Sequence, residues 1–261
     1  MQAPTGTVTI ACSDIQGSTP LWAAAPDAMT QALELHDQLL RSLLERHGGY
    51  EFSAEGDALK VAFDSSIAAL RWCEEVQLAL MDIQWPEELL SEDSAADAEG
   101  FRGLRVRMGI HRGDPVCRVN PVTQRMDYFG PVVNLAARIS SAPHGGQVIA
   151  SRSVLDEVHD SLDSLIQTDL GAHHLRGIAH PIELVQLLPE PLKARVFPPL
   201  RTLQARRTNL VQRPSSFVGR KVELAMVQSR LRSKDTRLLT LLGPGGTGKT
   251  RLSQQAGLLL T

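Results

Sequence analysis

Gly130-Pro131 separates an alternating segment from one with helical spacing, and no regular element can run through the pair. Proline lacks the N–H that a ladder or a helix interior needs, but it suits the first turn of a helix. A strand is therefore expected to end at Phe129 and a helix to occupy residues 131–140. On that helix Asn134 and Arg138 are four apart and share one face. Val132, Val133, Leu135, Ala136 and Ile139 take most of the remaining circumference, so the helix is expected to be largely buried and its arginine to need an anion. A phosphate would serve, and so would a carboxylate in an ordinary buried ion pair. Asp127, just before the break, adds an acid to the same stretch.

Two further acids stand at strand ends. Residues 8–12 are a short apolar run closed by the turn Ser13-Asp14-Ile15-Gln16-Gly17-Ser18-Thr19-Pro20. Asp14 is thus at the C-terminal edge of a strand, either as a ligand-binding acid or as a cap of the next helix. Leu33, Leu40, Leu43 and Leu44 give helical spacing over 21–46, ended by His47-Gly48-Gly49, with His36 and His47 expected toward solvent or at the cap. Residues 49–53 and 57–63 read as a hairpin joined around Ala54-Glu55-Gly56. Asp57 opens its second strand beside a glycine, where it can face an ion or simply make the turn. Two carboxylates converging from neighbouring strand ends suit Mg²⁺, which takes oxygen ligands and binds through few carboxylates plus substrate phosphates.

A second helix is expected over 66–83 from Ile67, Leu70, Cys73, Val76 and Leu80, and the acidic run 86–103 reads as a solvated loop with at most a short helical turn. Residues 104–111 alternate as a strand, and a hairpin turning at Asn120-Pro121-Val122-Thr123 leads into the Gly130-Pro131 break. With strands near 145–151 and 181–187, the order is that of an α/β (α+β) domain on a ferredoxin-like plan. Arg176, in Leu175-Arg176-Gly177-Ile178, is an anion contact or a surface arginine. The adjacent His173 and His174 point apart without a third ligand at metal spacing, which argues against zinc.

A net charge of −2 argues against a dedicated nucleic-acid partner, and the absence of a long apolar run argues against a membrane one. Cys12, Cys73 and Cys117 form no CxxC pair and read as small core residues in a reducing compartment, so a cytoplasmic location is expected.

Asp14-Ile15-Gln16-Gly17-Ser18-Thr19, Gly56-Asp57, Arg107-Met108-Gly109-Ile110-His111 and the stretch from Pro121 through Asp127 to Arg138 together resemble the class III nucleotidyl cyclase catalytic domain. The resemblance covers about residues 6–188 and is greatest to adenylyl cyclases of fungi and protists. It implies the class III fold, ATP as substrate, and a head-to-tail homodimer in which one subunit gives the metal acids and the other Asp127, Asn134 and Arg138. Two Mg²⁺ or Mn²⁺ ions per site would be held by Asp14, Ile15 and Asp57. Asp127 would read the purine, Asn134 and Arg138 would stabilise the transition state, and Arg176 would touch the triphosphate. Gln16 stands where many members have Glu, a small departure. Ser53 stands where the family has a Lys that hydrogen-bonds the adenine ring, so base discrimination is expected to weaken. Lys60, by alternation from Asp57, is expected on the opposite face and not to compensate. The alternative is a catalytically weak nucleotide-binding and dimerisation module regulating an appended ATPase.

Prolines and arginines over 189–215 read as an extended linker. In 216–261 a helix over 220–232 and a buried strand over 238–242 precede Gly243-Pro244-Gly245-Gly246-Thr247-Gly248-Lys249-Thr250. This fits the P-loop pattern: Gly243, Gly245, Gly246 and Gly248 line a phosphate cradle, Lys249 reaches the β/γ oxygens and Thr250 holds Mg²⁺. The segment resembles the start of the signal-transduction ATPases that follow cyclase domains in bacterial regulators, and is read as an N-terminal fragment of such a domain.

Overall fold

The computed structural model describes residues 2–98, 100–158, 162–203, 219–233 and 235–260. Two compact units divide the chain, 1–204 and 205–261. The first runs β1 (Val8–Ile15), α1 (Ser18–Ala24), α2 (Pro26–Arg46), β2 (Tyr50–Glu55), β3 (Ala58–Phe63), α3 (Ser66–Asp82), α4 (Glu87–Leu90) and β4 (Val106–Gly113). It continues through β5 (Val116–Val119), β6 (Met126–Phe129), α5 (Pro131–Ser141), β7 (Val148–Ser151), α6 (Arg152–Leu155), β8 (Leu165–His173) and β9 (Ile182–Pro189). The main sheet has the order β2-β3-β1-β4-β7-β9-β8, while β5 and β6 form a separate ribbon. Its β2-β3-β1-β4 half is the ferredoxin-like core expected from the element order, and the last three strands extend it beyond β4.

Side-chain alternation gives the sheet two unlike faces. Ala11, Ile15, Leu59, Val61, Phe63, Met108 and Ile110 point to one side and pack in the main core with Leu40, Leu44, Leu70, Trp72 and Val76 of α2 and α3. Val8, Ile10, Cys12 and Ala62 point to the other, against Tyr128 of β6 and Ala136 of α5. Asp14 and Arg107 follow the second parity, so the polar end of β1 opens on the face that carries α5 and the ribbon.

Several local expectations change. The single helix over 21–46 is two, because Ala25 precedes Pro26 and leaves the helical region at φ −141, ψ 69. His36 is not at the solvent side: it is 1% exposed in the same stripe as Met29, Ala32, Leu40 and Leu43, with Nδ1 3.0 Å from Asp37 Oδ1. The acidic loop is pinned by buried Leu89 and Ala95. Part of the expected linker packs on the first unit: beyond β9, Leu192, Arg195 and Leu200 are buried, and Arg195 donates to the carbonyls of Gly100 and Gly146. The remainder of that linker, 204–215, lies outside the described residues.

The expected burial of α5 is also corrected. Only the stripe of Ala136, Ile139 and Ser140 is fully buried on it; Val132, Val133, Leu135 and Ala137 are half-buried against the sheet side, and among the described residues nothing covers the face of Asn134 and Arg138. The stripe sits very close: a Cβ on Gly109 of β4 would overlap the backbone N and Cα of Ser140. Gly109→Ala is expected to push α5 outward and cost about 1–3 kcal/mol, the usual cost of overpacking, seen as a lower midpoint in urea unfolding.

In the second unit α7 (Lys221–Arg232) and α8 (Lys249–Leu260) enclose a small core of Val227, Leu252 and Ala256. The strand expected over 238–242 does not form. That segment has no ladder partner among the described residues, and Leu238 and Leu242 are 84% and 89% exposed.

Candidate active site

At the C-terminal end of β1 the Asp57 carboxylate reaches the residue after Asp14. The Ile15 N–H donates to Asp57 Oδ2 at 3.3 Å, which ties the turn before β3 to this strand end. Asp14 Oδ2 accepts from Arg107 Nε at 2.7 Å and from a second guanidinium nitrogen, while its Oδ1 meets no protein donor among the described residues. Arg107 faces Asp14 across the β1–β4 ladder, so the pair is set by register. Gln16 braces the same turn by accepting from Gly145 N–H and from Arg201, each at 2.9 Å. Arg107 and Arg201 were absent from the expected site set; only the pairing of β1 with β4 would have pointed to Arg107.

Asn134 and Arg138 are exposed on the outward side of α5, and neither side chain has a hydrogen bond or ion pair among the described residues. The expected anionic partner of Arg138 is therefore not within this chain's described residues. Register separates the amide from the acids. Arg107, opposite Asp14, reaches the carbonyl of Ser141 at the C-terminal end of α5, whereas Val132 at the helix start lies against Gly113, opposite Val8. From Asn134 to Ser141 the helix rises roughly 10 Å.

Asp127 on β6 is half-buried and accepts from Asn120 Nδ2 at 2.9 Å. Asn120 Oδ1 in turn accepts from the N–H groups of Val122 and Thr123, so one side chain shapes the ribbon's turn and orients the acid. Ser53 on β2 donates to Glu55 Oε1 at 3.3 Å, and Arg176 is exposed in a turn before Gly177. Val116, Val119 and Phe129 leave an apolar edge on the ribbon, 65%, 52% and 49% exposed.

No cluster of three or more His, Cys, Asp or Glu able to hold a metal occurs among the described residues. Asp14 and Asp57 at adjoining strand ends are hard oxygen donors, with Asp14 Oδ1 unpartnered among the described residues, a set suited to a cation that completes its shell with other oxygens. No helix among the described residues is long and apolar enough to cross a membrane.

In the second unit Gly243, Gly246 and Gly248 have φ of 154, 77 and 75, and α8 begins at Lys249. Lys249 Nζ donates to the carbonyls of Gly243 and Pro244 at 2.8 and 2.6 Å. Gly245 and Thr250 are exposed.

Residues 1–188 match the family described as the adenylate and guanylate cyclase catalytic domain. The chain is 50% identical over 165 residues to an adenylate cyclase of Mycosarcoma maydis and 44% identical over 167 residues to one of Neurospora crassa. These alignments take in 61% and 62% of this chain but only 7% of each relative's length. A solved structure of Trypanosoma brucei adenylate cyclase in its monomeric state superposes with a TM-score of 0.68 at 33% identity, covering 77% of this chain and 96% of that one. With more than two thirds of its length matched by that family, this chain belongs to the adenylate and guanylate cyclase catalytic domain family.

Proposed function

We propose that the first unit is an adenylyl cyclase domain that converts ATP to 3′,5′-cyclic AMP and pyrophosphate at the interface of a homodimer. The observation that carries this reading is an unpartnered amide and guanidinium on the outward face of α5, the amide about two turns along the helix from the Asp14 end of β1. A second copy facing the first would bring each half to the other and cover the apolar edge of the ribbon. That the fungal relatives are named adenylate cyclases supports ATP, not GTP, as the substrate here.

Asp14, Asp57 and the Ile15 carbonyl would hold two Mg²⁺ or Mn²⁺ ions. Such ions, when bound, acidify the ribose 3′-hydroxyl and neutralise the departing pyrophosphate. The chain's own side chains do the rest. Arg138 donates to the α-phosphate oxygens, where charge develops as the 3′-oxygen bonds to phosphorus and the bond to the bridging β-oxygen breaks. Asn134 orients the ribose so that this displacement is in line. Asp127, held by Asn120, accepts from the adenine 6-amino group, and the exposed Arg176 is free to meet the triphosphate. In the second unit, the positive-φ glycines before α8 suit a phosphate cradle, with Lys249 turning from the loop carbonyls to the anion.

The test is cyclic nucleotide formation from ATP and from GTP with Mg²⁺ or Mn²⁺. Cyclic AMP should form, with specific activity rising as protein concentration passes the dimer dissociation constant. Ser53 favours a second reading, a catalytically weak module that binds nucleotide, dimerises and regulates an ATPase. Silence at concentrations where sedimentation shows a dimer would overturn the enzyme and leave that module.

A further inference from the structure

Ser53 has a cation directly across the ladder. The β2–β3 register pairs Ser53 with Lys60, and the β1–β3 register pairs Lys60 with Cys12. Directly opposed residues project from the same side of a sheet, so these three form one row. Cys12 identifies the side: it packs with Tyr128 and Ala136, on the face that carries β6 and α5, and Asp14 lies two residues further along it. The expectation that Lys60 faces away took its parity from Asp57, which stands in the turn before β3 and outside its alternation.

The ammonium is available. The Lys60 side chain is 24% exposed, and its Nζ lies 2.9 Å from Glu55 Oε1, the same oxygen that accepts from Ser53. Glu55 is itself 72% exposed, so this ion pair is a weak, solvent-screened one that a ligand acceptor can displace. The strand bearing Asp127 lies alongside: Met126 N–H donates to the Tyr50 hydroxyl at 2.9 Å, and Arg125 donates to the Glu51 carbonyl. Arg125 and Met126 of the ribbon and Lys60 of β3 therefore flank the 50–53 stretch of β2, and Asp127 follows Met126 directly.

We infer that Lys60 is the purine-reading cation of this domain, donating to the ring nitrogen N1 while Asp127 accepts from the neighbouring 6-amino group. The inference rests on the cyclase reading and deepens it: the positive charge has moved from β2 to the facing position on β3. Two ammonium groups directly opposed would repel, so a lysine at 60 and a lysine at 53 exclude each other, and serine at 53 is the complement of Lys60 rather than a lesion.

The experiment compares binding of ATP and of 1-deaza-ATP, in which a C–H replaces N1, by competition for the full chain, so that no turnover is needed. The parent should prefer ATP by about tenfold or more, the usual worth of a hydrogen bond to a charged group. Lys60→Met should bind both equally, Lys60→Arg should keep the preference, and Ser53→Lys with Lys60→Met should regain it. Thermal unfolding confirms that each variant is folded, and Lys60→Leu, which likewise has no donor, replaces Lys60→Met if that variant is not. Preference retained without the lysine, or absent from the parent, overturns the inference. Neither result touches the cyclase reading, which stands or falls on cyclic AMP formation by the parent.

Discussion

Asn134→Ala and Arg138→Ala are each expected to lower kcat by about 10²–10³-fold, the loss that follows removal of one donor aimed at developing charge. Both side chains are exposed on α5 and hold nothing within the described chain, so neither truncation leaves a buried group unpaired or a cavity behind. Urea midpoints should therefore stay within the small range typical of surface substitutions, which separates a lost catalytic contact from a lost fold. The same geometry makes a stronger prediction for mixtures. Asp57→Asn removes a carboxylate from one half of the site, and Arg138→Ala removes the guanidinium from the other. Each homodimer is then defective at both sites, whereas a mixed dimer has one site lacking both groups and one intact. Mixing equal amounts of the two inactive proteins makes about half of the dimers mixed, and so should restore roughly a quarter of the parent's activity. If both halves of the site came from one subunit, mixing would restore nothing.

The features that locate this site were legible in the sequence because each is a local break with one chemical cause. Gly130-Pro131 ends β6 and starts α5 where expected; β1 runs on through the expected turn as far as Ile15 and Asp57 stands in the turn before β3, yet the two acids still come to adjoining strand ends. What escaped depends on tertiary placement. The composition of α5 is mostly apolar, yet burial is decided by what lies opposite: the stripe over Gly109 is fully buried, while Val132, Val133, Leu135 and Ala137 are only half-covered. His36 reads as a polar helix residue until the helix is laid on the sheet. The row Ser53, Lys60, Cys12 was hidden by an irregularity between Glu51 and Ser53 that shifts the β2–β3 register, and a bulge of that kind has no signature in two short alternating runs. Residues 238–242 failed in the opposite sense, since a strand is defined by its partner and five suitable side chains do not supply one.

Arg107→Met is expected to strengthen divalent-cation binding about tenfold or more, whereas Asp14→Asn should abolish both that binding and turnover. The guanidinium of Arg107 donates through two nitrogens to Asp14 Oδ2, so an incoming cation meets a carboxylate already half neutralised. Both side chains are partly exposed, 20% for Arg107 and 28% for Asp14, so the pair is screened, and a unit charge a few ångströms away is worth on the order of 1 kcal/mol in water. A divalent ion feels twice that repulsion, which is the source of the tenfold figure. Manganese binding followed by electron paramagnetic resonance reads the effect without any reaction. If Arg107 instead serves only to anchor α5 through the Ser141 carbonyl, Arg107→Met should lower stability and leave manganese affinity unchanged. A tighter site with an unaltered unfolding midpoint would identify the arginine as the counterion that occupies Asp14 until the metal arrives.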